Sequence, residues 1–561
     1  MRFTSILPFV LGACSIAAQS IQKRDNGFIT TQGQDFYLNG SVFKFIGTNA
    51  YWLPTLTNDQ DLADTFSNMS AIGIKVVRTW AFNDVTEIPV NGTWFQLIAN
   101  GTTQINNGTN GLARLDKVVE LAQANNIHLI LSLTNNWNPL PGDDTTQVPA
   151  VSRRDSITGN DLNRNYLSND YGGMDAYVRE FGTTKDHDEF YTSSSILGIF
   201  NTYVTTVVTR YKNSPAILAW EIANDPRCNS TLPTGACTPQ TVTEWHSTVA
   251  KHVKSVDPNH VVSSGSSGFF CTDCKKLFPP KTAPPPPTTS KRAGDRRQPL
   301  AVTKRDLIRE RSDKRKKARA MQKREGTLET TGLKIRGRWA ATPTRRQSGT
   351  GVGSDSDGSQ GVDSEDILGI PEIGFSSFQL FPDQDTYDTN DDPSVPAFNQ
   401  TVDAGVAWIQ RHAAAAAIYG KPTVATGFGL VTTSNAPDFV PFNSTEVSSG
   451  NGTAAPAARR KRGTDAGVTD DQRDDAYRKW LGTAVSSQVN GMVHYQWGQT
   501  GLTGQEGTPV SPAGPGSNPT STGSTGTAIS PNDGYSSTGV GQSGVDGVLQ
   551  QAGQQIDGGT S

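Results

Sequence analysis

Between Val42 and Trp497 the chain repeats one pattern, a short apolar or β-branched run followed by a longer amphipathic stretch. Lys75 to Trp80, Ile127 to Leu133 and Ala216 to Asn224 are nearly continuous apolar runs, the pattern of strands buried on both faces of a parallel sheet. Val42 to Thr48, Val261 to Ser264, Phe375 to Leu380, Pro422 to Ala425 and Met492 to Trp497 bring the set to eight. The clearest helix lies over Thr241 to Val256, where Val242, Trp245, Val249, Val253 and Val256 recur every three or four residues. Eight strands alternating with helices predict an α/β fold, a (β/α)8 TIM barrel.

The remaining segments read as additions to that barrel. Residues 1–24 combine Met1 and Arg2, an apolar stretch from Ile6 to Ala18 and the dibasic pair Lys23-Arg24, which reads as a secretory signal with a propeptide cleaved near Asp25. Residues 25–273 hold strands one to five, and 367–502 hold strands six to eight. Between them, Cys274 to Asp366 is Pro-, Ser- and charge-rich, with four consecutive prolines at Pro284 to Pro287, and reads as a disordered insertion. Glu446 to Asp470, containing Arg459, Arg460, Lys461 and Arg462, reads as a second loop of this kind. Residues 503–561, rich in Gly, Ser, Thr and Pro, read as a flexible tail.

Charge and cysteine usage narrow the setting. The formal net charge of -3 conceals an intensely basic run from Lys304 to Glu325. Such a run could bind nucleic acid, but without interleaved aromatics in an exported chain it reads as a solvated insert. No stretch after the signal is long enough to span a bilayer, so the expectation is a secreted, extracellular monomer with neither nucleic-acid nor membrane partner and no cofactor. Cys14 falls in the signal, leaving Cys228, Cys237, Cys271 and Cys274, which an oxidising compartment would pair. Sequence order favours Cys228 with Cys237 and Cys271 with Cys274. Three connectivities are possible, and a Cys-x-x-Cys can instead be redox-active or bind metal. Nine sequons, from Asn39 to Asn451, fit glycosylation during export.

A barrel of this kind places function where its strands end at the C-terminal face. The strand ends here are rich in aromatics and amides: Asn49-Ala50-Tyr51-Trp52, Arg78-Thr79-Trp80, Asn135-Asn136-Trp137, Trp220 to Cys228, and Tyr495-Gln496-Trp497-Gly498. Pyranose faces stack on rings and sugar hydroxyls bond to amides, so this composition points to a polysaccharide cleft.

These strand ends, with Val76-Val77-Arg78, Tyr171 to Val178 and Trp408 to Ala413, make the chain resemble the secreted fungal endo-β-1,4-mannanases of glycoside hydrolase family 5. The resemblance implies β-mannan or a related polysaccharide as substrate, with Arg78, Trp137, Asn224 and Trp497 lining the cleft. It also implies two catalytic glutamates, and neither is present. The acid/base position, after Asn224 and before Pro226, is Asp225, which keeps the acid but is one methylene shorter. The nucleophile position, in Lys421 to Gly429, is Gly427, which has no side chain with which to attack. The supporting His and Tyr at the end of strand six appear as Gln379 and Phe381, and an acidic pair after strand five as Ser266-Ser267. Glu221, four residues before Asp225, should lie about 13 Å deeper at about 3.3 Å per residue and serve structure. Arg78 has lost the nucleophile beside it, and the candidates to compensate it are Asp225, an anion in the gap at Gly427 or an acidic sugar, the alternative being solvation by water. The sequence thus predicts a mannan endo-1,4-β-mannosidase-like protein with hydrolysis lost or strongly weakened; the alternative is an active enzyme using Asp225 and an unidentified second carboxylate.

Overall fold

The computed structural model describes residues 27–140, 162–280, 353–387, 394–444, 467–512, 526, 528–537 and 542–558. The signal, the four-proline run, the basic run and the Arg459–Arg462 cluster lie outside the described residues. Eight strands form the barrel: β1 Phe45–Asn49, β2 Val76–Trp80, β3 His128–Ser132, β4 Ile217–Glu221, β5 Val261–Ser263, β6 Ser376–Leu380, β7 Thr423–Phe428 and β8 Gly491–His494. They pair in parallel in the order β5-β4-β3-β2-β1-β8-β7-β6. Between β5 and β6 the ring closes through Gly374 N–H donating to the Val262 carbonyl at 2.8 Å and Gln379 N–H to that of Ser267 at 3.0 Å. The Ser264 and Ser377 hydroxyls add a contact of 2.8 Å.

Every strand expected from the apolar runs is present, with one division. Val42 to Thr48 splits at Lys44, so that Ser41–Phe43 pairs with Asp35–Leu38 and Thr30–Gln32 in an antiparallel sheet beneath the barrel. Phe36 and Phe43 from that sheet pack with Phe45, Val76, Ile130, Phe375, Val424 and Val493, closing the barrel floor.

Among the described residues the main helices that follow the strands are α1 Asp59–Ala71, α2 Leu112–Ala124, α3 Ser194–Tyr211, α4 Pro239–Val256, α5 Ser364–Leu368, α6 Ala397–Tyr419, α7 Asp470–Ser486 and α8 Gln542–Gly558, with shorter helices at Met174–Phe181 and Glu189–Thr192 between β3 and α3. The Val242-Trp245-Val249-Val253 stripe of α4 is buried as its spacing requires, and a Thr238/Thr241 capping box starts the helix. No described helix is long and apolar enough to cross a membrane. The disulfides are Cys228–Cys237 and Cys271–Cys274, the pairing that sequence order favours.

Two segments read as flexible are built into the fold. Within 274–366, residues 274–280 and 353–366 are described, and they clasp each other: Lys276 Nζ meets Asp363 at 2.6 Å and Glu365 at 3.1 Å. Phe278 N–H donates to Asp366 at 2.7 Å. The Ser/Asp composition that suggests solvation supplies the caps and ion partners of α5. The tail from 503 is likewise structured where described. Thr500–Leu502, Ser511–Pro512 and Ala528–Ile529 form a small antiparallel sheet, residues 530–537 thread across the mouth, and α8 buries Val545, Val548, Leu549, Ala552 and Ile556. That spacing is helical, but the glycines within α8 lower its propensity and hide it in a Gly-rich composition.

Candidate functional site

The ends of β1 to β4 bring a charged network to the upper barrel. Arg78, in β2, donates from Nε and Nη2 to Glu221, from Nη1 to Asn49 Oδ1 at 3.0 Å, and from Nη2 to Asn224 Oδ1 at 2.7 Å. Glu221 is fully buried and also accepts from Ser132 Oγ. The group that compensates Arg78 is therefore Glu221 rather than Asp225. Glu221, pointing inward from the end of β4, supplies the carboxylate, and a buried guanidinium without one would cost several kcal/mol. Gln379 Nε2 donates to the same Asn224 oxygen at 3.0 Å, locking that amide between β2, β4 and β6.

Arg78, Asn224, Gln379, Phe381 and Gly427 face one pocket, together with Trp80, Asn135, Ser168, Gln384, Val440, Phe442, Tyr495 and Asp533. Its cavity volume is about 30 Å³, roughly two waters. Asp225, Trp137 and Trp497 stand outside this lining. Trp497 is 5 % exposed and donates to Gln499 at 3.1 Å, leaving Tyr495 as the β8 aromatic of the pocket.

Asp225 is held on a backbone with φ of 51°, a region that aspartate tolerates better than most residues. Its Oδ1 accepts from Arg227 Nε at 3.0 Å, and its Oδ2 from Arg227 Nη2 at 2.7 Å and Trp137 Nε1 at 2.8 Å. Both oxygens are thus committed to donors within the protein. Arg227 also meets Asp385 at 3.4 Å and Gln360 at 3.0 Å. Burial works against the charge of Arg227, but Asp225 and Asp385 outweigh it and hold the guanidinium above the ordinary arginine range. Burial pushes the Asp385 carboxyl up to about 6 against the pull of Arg227. Ser267 accepts weakly from Arg227 at 3.5 Å, and Ser266 bonds Ser364 at 2.6 Å, so this pair now serves the α5 region.

At Gly427 the first atom of a side chain would be crowded by one ring. A Cβ there would lie 3.0 and 3.2 Å from two atoms of the Phe381 ring. Phe381 itself is wedged edge-on against Tyr495 and Tyr535, with centroids 5.4 Å away in each case.

The residues missing from the sequence reading come from the segment taken for a tail and from the loop after β7. Asp533 Oδ2 accepts from Tyr495 Oη and Ser168 Oγ, both at 2.7 Å, and burial pushes its carboxyl up to about 6. Phe442 stacks on Trp137, centroids 5.9 Å apart and planes at 28°. The Asn532-Asp533-Gly534 turn was the available signal, since Asn532 Oδ1 accepts from the Gly534 and Ser536 amides at 2.9 and 3.0 Å.

Residues 26–283 match the model of the glycoside hydrolase family 5 β-mannosidase-like proteins. The matched part includes Asp225 and ends before Gln379, Phe381 and Gly427. The mannan endo-1,4-beta-mannosidase F of Aspergillus fumigatus is 38% identical over 274 residues, covering 48% of this chain and 54% of the relative. The mannan endo-1,4-beta-mannosidase A of Hypocrea jecorina is 37% identical over 271 residues, covering 48% and 53%. The chain thus spans about half the length of the curated relatives it matches. The solved endo-1,4-beta-mannanase of Rhizomucor miehei is 25% identical, with a TM-score of 0.52 over 84% of this chain and 90% of that one. Through residues 26–283 the chain matches the family 5 β-mannosidase-like glycoside hydrolases in sequence, and through its barrel it shares the fold of solved endo-β-1,4-mannanases.

Proposed function

We propose that this is a secreted, mannan endo-1,4-β-mannosidase-like barrel that engages β-mannan or a related polysaccharide, with hydrolysis lost or strongly weakened. The observation that carries the reading is the state of the two catalytic positions. A retaining glycosidase needs one carboxyl to protonate the leaving oxygen and a second about 5 to 5.5 Å away to attack the anomeric carbon. At the first position Arg227 spans both Asp225 oxygens and Trp137 donates to one of them, so the shorter carboxylate is held toward donors within the protein. At the second, Gly427 offers no nucleophile and Phe381 occupies the adjoining space. What remains is recognition chemistry: the Asn224, Asn135 and Gln379 amides and the Trp80 and Tyr495 rings around one pocket.

The test is a reducing-sugar assay on galactomannan beside a pull-down on insoluble mannan. Retention on mannan with no more sugar release than a heat-denatured control supports the reading. Turnover at ordinary glycosidase rates, of order 1 per second or more, would instead favour Asp225 working with a second carboxylate.

A further inference from the structure

We propose that Phe442 is an internal occupant of the sugar-stacking face of Trp137, so that the segment 441–444 must lift before a polysaccharide chain can lie across the mouth. The inference rests on the mannan reading above. Trp137 ends the third strand's loop, where the resemblance expects an open aromatic platform. Instead the Phe442 ring lies on it at 5.9 Å, the Arg227 guanidinium sits over it at 5.5 Å, and only 6 % of the residue is exposed. An indole buried to that degree has no face free for a pyranose, and stacking is the main contribution a ring makes to sugar binding.

The segment has the character of a clasp rather than of core. Phe442 is only partly buried, whereas Trp80, Phe381 and Tyr495 beneath it are buried. The clasp is held mainly by side-chain amides. Gln384 accepts from Phe442 N–H at 3.0 Å, and Asn169 Nδ2 donates to the Phe442 and Ser444 carbonyls at 2.8 and 3.1 Å. The residues just before the clasp are fixed in the core, with Phe439 and Val440 buried and Val440 N–H donating to the Asp533 carbonyl at 3.2 Å. Each bond of the clasp is worth on the order of 1 kcal/mol net, because water replaces the partner on opening. A sugar stacking on Trp137 would recover the ring contact that Phe442 gives up.

The experiment compares the parent with Phe442→Ala and with Asn169→Ala, which loosens the clasp without touching either ring. Calorimetry with mannohexaose reads binding. Acrylamide quenching, taken as the difference from a Trp137→Phe partner in each background, reads the exposure of Trp137. Both variants should expose Trp137 and bind mannohexaose about tenfold or more tightly than the parent. Exposure of Trp137 with no mannohexaose binding in any variant would uphold the clasp and sink the mannan reading. Unchanged quenching, or measurable binding of equal affinity in the parent and Phe442→Ala, overturns the proposal.

Discussion

Arg227 donates to both carboxylate oxygens of Asp225, from Nε at 3.0 Å and from Nη2 at 2.7 Å, and neither residue is more than 4 % exposed. The same guanidinium reaches Asp385 at 3.4 Å, so one cation balances two buried carboxyls. Removing one member of a buried pair leaves an uncompensated charge, which costs about 3–5 kcal/mol. Arg227→Met should lower the unfolding free energy by that order in urea titrations. Arg227→Lys should recover only part of it, because an ammonium cannot span both oxygens. A loss below about 1 kcal/mol for Arg227→Met would mean that water already screens the cluster.

The Gly427–Phe381 contact predicts that a carboxylate cannot simply be returned. A Cβ at residue 427 would stand 3.0 Å from the Phe381 ring, closer than ordinary van der Waals contact, and that ring is backed by Tyr495 and Tyr535. Gly427→Ala should therefore destabilise by about 1–3 kcal/mol, the usual range for overpacking. Combined with Phe381→Leu it should cost less than the sum of the two single changes, with a coupling of about 0.5 kcal/mol or more. Gly427→Glu alone should release no more reducing sugar from galactomannan than the parent. Strict additivity in the cycle would show that the ring moves aside without resistance.

The barrel was legible because its signal is a pattern repeated eight times, and no single misjudged run could erase it. Within the site, legibility followed the strands. Arg78, Asn224, Gln379, Phe381 and Gly427 sit at strand ends, and all five face the pocket. Partners brought by distant loops were not legible. Glu221 was placed in the barrel interior, but its pairing with Arg78 depends on how far the two side chains reach across the ring. Asp533 and Phe442 lie in Gly/Ser-rich or loop sequence, where composition argues for solvation and only tertiary contact argues against it. The same limit applies to residues 542–558, where α8 keeps a helical apolar stripe beneath a composition typical of linkers.

Arg78 and Glu221 together decide how the mouth responds to anions. With its carboxylate partner in place, Arg78 has no charge left to balance, so chloride or sulfate should produce no thermal shift that depends on Arg78. Glu221→Ala removes that partner and should lower stability by about 3–5 kcal/mol at low salt. Part of this should return in sulfate, because an anion that binds only the native state stabilises it. Differential scanning fluorimetry over a sulfate series, on the parent, Glu221→Ala and Arg78→Ala, separates the cases. A sulfate shift in the parent that disappears in Arg78→Ala would show that Glu221 does not satisfy the guanidinium.

Asp533 should make stability fall as pH rises across the mildly acidic range. Burial raises its carboxyl from 3.8 to about 6, while Ser168 and Tyr495 donate to its Oδ2. The groups facing it, Tyr51, Tyr171, Tyr495 and Tyr535, are all pushed upward by burial and stay neutral through this window. The folded state therefore holds a proton that the unfolded chain has released. The stabilisation is fully present below pH 3.8, the unfolded value, and is lost as pH climbs through about 6. At about 1.4 kcal/mol per unit, the whole change is at most about 3 kcal/mol. Asp533→Asn cannot ionise, so its stability relative to the parent should improve by up to that amount between pH 4 and pH 7, whatever the constant cost of the substitution. Other carboxyls shift both proteins alike and cancel in the difference. Urea unfolding of the two proteins at half-unit steps of pH measures this directly, and a difference that stays flat would show that folding does not raise the Asp533 carboxyl.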